Sequence, residues 1–166
     1  MVSLTWYGDC VGSYVMKGRS SGFTLVEVLI VVAILGLLAA IAAVALPGAL
    51  DRARQRRTMM DLHTIGVALE SYSNDLSFYP RLDDGSVEAI APHLAPTYVR
   101  PLPVRDGWSR AIVYRSDGVG YTLVSWGADG VETSPWVSGP THHVNADIVL
   151  SRGQFVQWPE GIQVNR

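Results

Sequence analysis

The chain has 166 residues and a single cysteine, Cys10. That excludes an internal disulfide framework and any zinc site built from several thiolates. Four histidines leave little material for a multi-histidine metal centre. Basic residues are not in excess: 13 Lys+Arg stand against 15 Asp+Glu, so the net charge is −2. No nucleic-acid partner is expected of such a chain. Catalytic signatures are missing too. There is no phosphate loop and no zincin helix motif. Ser125 lies in Leu-Val-Ser-Trp-Gly, which lacks the first glycine of a nucleophile elbow. The adjacent Asp83 and Asp84 read as a turn rather than an acid/base couple. The expectation is a protein that is not an enzyme.

What the sequence does have is one long apolar run. Residues 23–46 read FTLVEVLIVVAILGLLAAIAAVAL, with a single charge at Glu27. At 1.5 Å per residue, 24 helical residues extend roughly 36 Å, enough to cross a bilayer core with some tilt. A secretory signal peptide would have a shorter apolar stretch followed by a small-residue cleavage site. Here the polar junction Ser20-Ser21-Gly22 precedes the run.

Glu27 is the informative residue. A carboxylate in hydrocarbon costs about 2.5–3.5 kcal/mol, so it demands a partner or a function. If the chain were cut between Gly22 and Phe23, Phe23 would carry a free ammonium. A neighbouring copy's ammonium could then pair with Glu27. The alternative is a protonated or snorkelling side chain near the helix end.

The stretch Lys17-Gly18-Arg19-Ser20-Ser21-Gly22-Phe23-Thr24-Leu25-Val26-Glu27 resembles the processing site of type IV pilins and type II secretion pseudopilins. The resemblance implies that a prepilin peptidase cuts after Gly22 and methylates the amine of Phe23. It also implies that Glu27 is the family's assembly glutamate. Residues 1–22 would be the leader. Because short basic leaders are usual in the family, Met16 is the expected true start, with residues 1–15 an extension. Either way Cys10 leaves with the leader. The arginines Arg52, Arg54, Arg56 and Arg57 after the run compete with Lys17 and Arg19 before it. The resemblance resolves that tie: leader in the cytoplasm, C-terminal part in the periplasm.

The helical pattern continues past the apolar run. Met59, Leu62, Ile65, Leu69 and Tyr72 are spaced as one face of an amphipathic helix. One helix of about 50 residues is therefore expected from Thr24 to near Asn74, with a kink or local melt at Pro47-Gly48. The Arg-rich turn at residues 52–57 reads as touching lipid headgroups, pairing with acids of adjacent subunits, or simply facing solvent. His63 reads as a surface or interfacial residue.

Farther on, Tyr79-Pro80 and Asp83-Asp84-Gly85 signal loops. Residues 87–94 read as a short helix with Ser86 as N-cap. Pro92, Pro96, Pro101 and Pro103 indicate an extended stretch, and Asp106-Gly107-Trp108 a turn with an aromatic anchor. Residues 111–115 and 121–126 form one hairpin candidate; residues 148–150 and 155–158 form another. The expected fold class is α+β: a long N-terminal transmembrane and amphipathic helix packed on a small antiparallel β-sheet head, as in pilins. The domains are a leader at 1–22, an apolar filament-core helix at 23–50, and a periplasmic head at 51–166.

A second resemblance is carried by Tyr121-Thr122-Leu123-Val124-Ser125-Trp126-Gly127-Ala128-Asp129-Gly130 and Ala146-Asp147-Ile148. It is similar to the C-terminal loop of the major pseudopilin of type II secretion, where these turns bracket a calcium ion. The resemblance implies calcium on Asp129 and Asp147, with Ser125 as a supporting oxygen. Calcium takes about six to eight oxygens, many from backbone carbonyls. The competing reading is that both aspartates cap turns without metal. Residues 131–145 are longer and bulkier than the glycine-rich acidic segment typical there. His142 and His143, adjacent on a strand, would point to opposite faces and so not chelate together.

The function implied is a structural subunit of a type II secretion pseudopilus that supports protein export from the bacterial inner membrane. Its implied partners are further copies of itself, minor pseudopilins, prepilin peptidase, an inner-membrane assembly platform with its ATPase, and membrane lipid. Two alternatives are a type IV pilin of an adhesion or motility fibre and an unprocessed, membrane-tethered periplasmic binding module.

Overall fold

The structure is a computed structural model that describes residues 22–164. Lys17, Gly18, Arg19, Ser20, Ser21, Cys10 and the start at Met16 lie outside the described residues. Two compact units meet in sequence at Ala40 and Ile41. The first contains the start of α1, an α-helix spanning Leu25–Leu76. Its segment Leu25–Ala43 is long and apolar enough to cross a membrane and has no buried residue.

The second unit holds the rest of α1 and everything after it. The helix is unbroken through Pro47, so the expected melt at Pro47-Gly48 is absent. Proline removes one backbone donor, but the alanines and leucines around it are strong helix formers that sustain the neighbouring turns. The predicted amphipathic face is the core face: Leu62, Ile65 and Leu69 are fully buried, Tyr72 nearly so, and Met59 packs beside them.

Among the described residues six strands form one sheet, in the order β1-β2-β3-β5-β6-β4. They are β1 (Leu82–Ser86), β2 (Val113–Ser116), β3 (Tyr121–Ser125), β4 (Gly139–His143), β5 (Ile148–Ser151) and β6 (Gln154–Val164). The two expected hairpins are present as β2–β3 and β5–β6, both antiparallel. Strand β3 pairs with β5, Ser125 opposite Ile148. Among the described residues, only the β4–β6 pairing is parallel.

Strand alternation gives the sheet two apolar faces. Tyr114, Tyr121, Leu123, Ile148 and Leu150 join the helix residues in the main core. On the opposite face Val113, Val124 and Val149 form a second cluster, covered by Trp126, Trp136 and Val156. A sheet clad on both sides explains why β3 and β5 are buried almost throughout.

One expectation fails here, and of the two readings that cover Pro92 the helical one over residues 87–94 holds. Asp83-Asp84-Gly85 is not a loop but the bulged middle of the edge strand β1, with Gly85 opposite Tyr114. Pro92 belongs to the one-turn helix α2 (Ala91–Leu94), where it sits in the first turn and needs no donor. Before α2 comes a 3-10 turn, Val87–Ile90, capped as expected by the Ser86 hydroxyl, which accepts from the Glu88 amide at 3.2 Å.

Candidate functional site

The N-terminal end of α1 is built by a reciprocal cap. Thr24 precedes the first helical residue and Glu27 is three residues further on, the spacing of a capping box. The Thr24 backbone N–H and hydroxyl both donate to Glu27 Oε2, each at 3.0 Å. The Glu27 amide donates back to Thr24 Oγ1 at 3.2 Å. Glu27 thus has a partner within its own chain, a role that Thr24-Leu25-Val26-Glu27 announces in sequence. Gly22 and Phe23 lie just ahead of the cap outside the helix, and Phe23 is 75% exposed.

Two of the four arginines after the apolar run are paired along the helix. Arg54 meets Asp51 at 3.1 Å and Arg57 meets Asp61 at 3.6 Å. Burial pushes the Asp61 carboxyl above its ordinary range, against the pull of Arg57 and with a further push from Asp106. His63 is exposed, as expected.

Asp106 organises the approach to the C-terminal loop. Its Oδ1 accepts from the amides of Trp108 and Arg110, both at 2.9 Å. Its Oδ2 accepts from the Ser125 hydroxyl at 2.8 Å. The adjacent Gly107 amide donates to Thr58 Oγ1 on α1 at 2.9 Å. Gly107 lies so close to the helix that a Cβ would collide with the Arg54 backbone. Asp106 was legible as a turn residue but not as this hub, because its partners are up to nineteen residues away.

Ser125 therefore stands apart from the implied calcium ligands. It is fully buried and committed to Asp106. It also lies opposite Ile148, which faces the main core, so Asp147, one residue earlier, projects to the other face.

Asp129 is brought near enough to Asp147 to add to the cost of ionising the Asp147 carboxyl. Asp129 is exposed, and its Oδ1 accepts from the Val131 amide at 3.1 Å. The turn depends on Gly127, which has φ +55°. A side chain there would meet the carbonyl oxygens of Asn145 and Ala146. The Ala128 amide donates to the Val144 carbonyl at 3.1 Å and stitches the two turns together. Asp147 is fully buried. Its Oδ2 accepts from the Thr133 amide at 2.9 Å and from the Trp136 indole at 3.1 Å. Its Oδ1 has no hydrogen-bond partner among the described residues. Burial pushes this carboxyl above the usual carboxylate range; the two N–H donors offset that only in part.

A buried carboxylate oxygen without a donor, with a second carboxylate near enough to act on it, is chemistry that suits a hard cation. Among the described residues no three His, Cys, Asp or Glu side chains converge as a metal cluster, so a cation here would draw on carbonyls. His142 is occupied by the Glu160 carbonyl at 2.8 Å.

Comparison with known proteins bears on both the N-terminal helix and the head that follows it. Residues 17–43 match the prokaryotic N-terminal methylation motif. Residues 45–139 match type II secretion system protein G. Type II secretion system core protein G of Vibrio cholerae is 34% identical over 124 residues, covering 69% of this chain and 84% of that protein. The Pseudomonas aeruginosa core protein G is 34% identical over 130 residues, covering 70% and 89%. That of Aeromonas hydrophila is 33% identical over 126 residues, covering 69% and 87%. A capped apolar helix, an α+β head and a match that runs through both place this chain in the type II secretion system protein G family.

Proposed function

We propose that this chain is the structural subunit of a type II secretion pseudopilus, made as a precursor and polymerised into a helical filament. The observation that carries the reading is the junction Gly22-Phe23, set immediately before a capped helix whose first stretch, Leu25–Ala43, is apolar throughout except for Glu27. Prepilin peptidase cuts between Gly22 and Phe23 and methylates the new amine. Before assembly the subunit is held in the inner membrane by residues 23–50, with the head, residues 51–166, in the periplasm. An assembly platform and its ATPase then draw it into the filament, where minor pseudopilins join it.

The physics of assembly is an exchange of neighbours. Apolar helices leave lipid tails for one another, so association depends on close packing and on rare polar contacts rather than on water exclusion. Glu27 supplies the polar contact: its carboxylate leaves the cap of its own helix and takes the Phe23 ammonium of an adjacent copy. Such a pair sets register more than it adds net stability. Arg52 and Arg56, which have no acidic partner among the described residues, are free to meet lipid phosphate in the waiting state.

In the head, calcium fits Asp147 and Asp129, with Asn145 and Ala146 carbonyls close by; Ser125 is left out of the set. When bound, the ion supplies positive charge to the orphaned Asp147 oxygen. N-terminal sequencing of the protein extracted from membranes tests the central reading. A chain beginning at methylated Phe23 is expected, and residues retained ahead of Phe23 would overturn it.

A further inference from the structure

Residues 131–138 cross the outer face of the sheet, and the contacts that hold them come from side chains of this chain. Arg115 on β2 is their centre. Its Nη1 and Nη2 grip both oxygens of Glu132, at 2.8 and 3.2 Å. Its Nε donates to Asp84 on β1 at 3.0 Å. Its guanidinium carbon stands 5.9 Å from the ring centre of Trp136. Trp136 in turn covers Val113, Val124 and Val149 and donates its indole N–H to Asp147. The Thr133 amide donates to the same carboxylate oxygen, and the Val137 amide to Gln157 Oε1 at 2.9 Å. A planar guanidinium that forks onto one carboxylate, reaches a second and stands over an indole is a use of arginine that lysine cannot copy.

We infer that Arg115 and Trp136 are a built-in clasp that positions residues 131–138 over Asp147 without a divalent cation. The clasp already satisfies one oxygen of Asp147. A cation, if it binds, meets only the other oxygen and adds to a loop that is already closed. The clasp does not depend on the pseudopilus reading. It bears on the calcium reading through what removing and adding calcium do to these amides.

Hydrogen–deuterium exchange of the full chain in detergent micelles tests this, read at the hydrogen-bonded amides of Thr133 and Val137 in EDTA and in calcium chloride. The wild type is expected to stay protected in EDTA. Trp136→Phe keeps an aryl ring but loses the indole donor, and Arg115→Gln loses both carboxylates. Each is expected to exchange on the order of tenfold faster in EDTA, the scale of one lost net hydrogen bond. The amides of β3 and β5 serve as the folding control and should not change. Should Arg115→Gln open those strands as well, Glu132→Gln, at the exposed end of the clasp, gives the same reading with less risk to the fold. Wild-type amides that exchange freely in EDTA and close only with calcium would overturn the clasp. So would variants that match the wild type in EDTA. Variants that open in EDTA and are not rescued by calcium support the clasp and count against calcium at Asp147.

Discussion

The two stretches of α1 follow opposite rules. In Leu25–Ala43 every residue is exposed in the single chain, although all but Thr24's partner Glu27 are apolar or small. From Leu62 to Tyr72 the apolar residues, Val67 excepted, fall on one stripe, and that stripe is buried. The first pattern is a surface made for lipid or for other helices; the second is made for the sheet of its own chain. A continuous run of helical hydrogen bonds says nothing about which solvent each part faces. Side-chain distribution around the helix says it.

The largest effect should come from breaking the first pattern at its only charge. Glu27→Ala is expected to insert into membranes normally and to lose most filament assembly, measured as sedimentable polymer against total membrane-bound subunit. Normal polymer yield would remove the pairing role. Next, Ile65→Ala should cost the head about 2–5 kcal/mol, as core truncations do, in denaturant unfolding of the detergent-solubilised chain. Leu38→Ala, an equal apolar loss in the exposed stretch, should shift the same curve by less than about 0.5 kcal/mol. Equal shifts would erase the distinction drawn between the two stretches.

Gly107→Ala sharpens the head side of the comparison. A Cβ there would strike the backbone of Arg54, and the loop bearing Asp106 would be displaced from α1. A loss of about 1–3 kcal/mol is expected from such overpacking. The smallest effect concerns Asp61, whose carboxyl burial holds above its ordinary value of 3.8. The native state then binds this proton more tightly than the unfolded chain does. Its contribution is fully present below pH 3.8 and is lost as pH rises through the raised native value. Asp61→Asn should flatten that part of the stability–pH curve, and an unchanged slope would show that the carboxyl does not titrate there.

Reading the sequence reached the elements whose signal is local. The core stripe of α1, the Ser86 cap and the two hairpins needed only periodicity and turn chemistry. Strand β1, Leu-Asp-Asp-Gly-Ser, was invisible, and strand β4, Gly-Pro-Thr-His-His, was read as extended only at its two histidines, because neither has strand propensity. Both are strands only because β2 and β6 offer them hydrogen-bond partners. The same holds at the site. Asp129 and Asp147 were legible from flanking residues, whereas Asp106, Arg115 and Trp136 act through partners distant in sequence.

The sequence by itself determined the apolar helix, its lone acid, the junction ahead of it and the α+β character of the head. These depend on composition and on short-range spacing, which survive without any fold. Tertiary structure alone decided that Ser125 serves Asp106 and that Asp147 lies on the opposite face with one oxygen satisfied and one not. The reason is strand register: a side chain's face is set by its pairing partner across the sheet, and no local pattern encodes that partner.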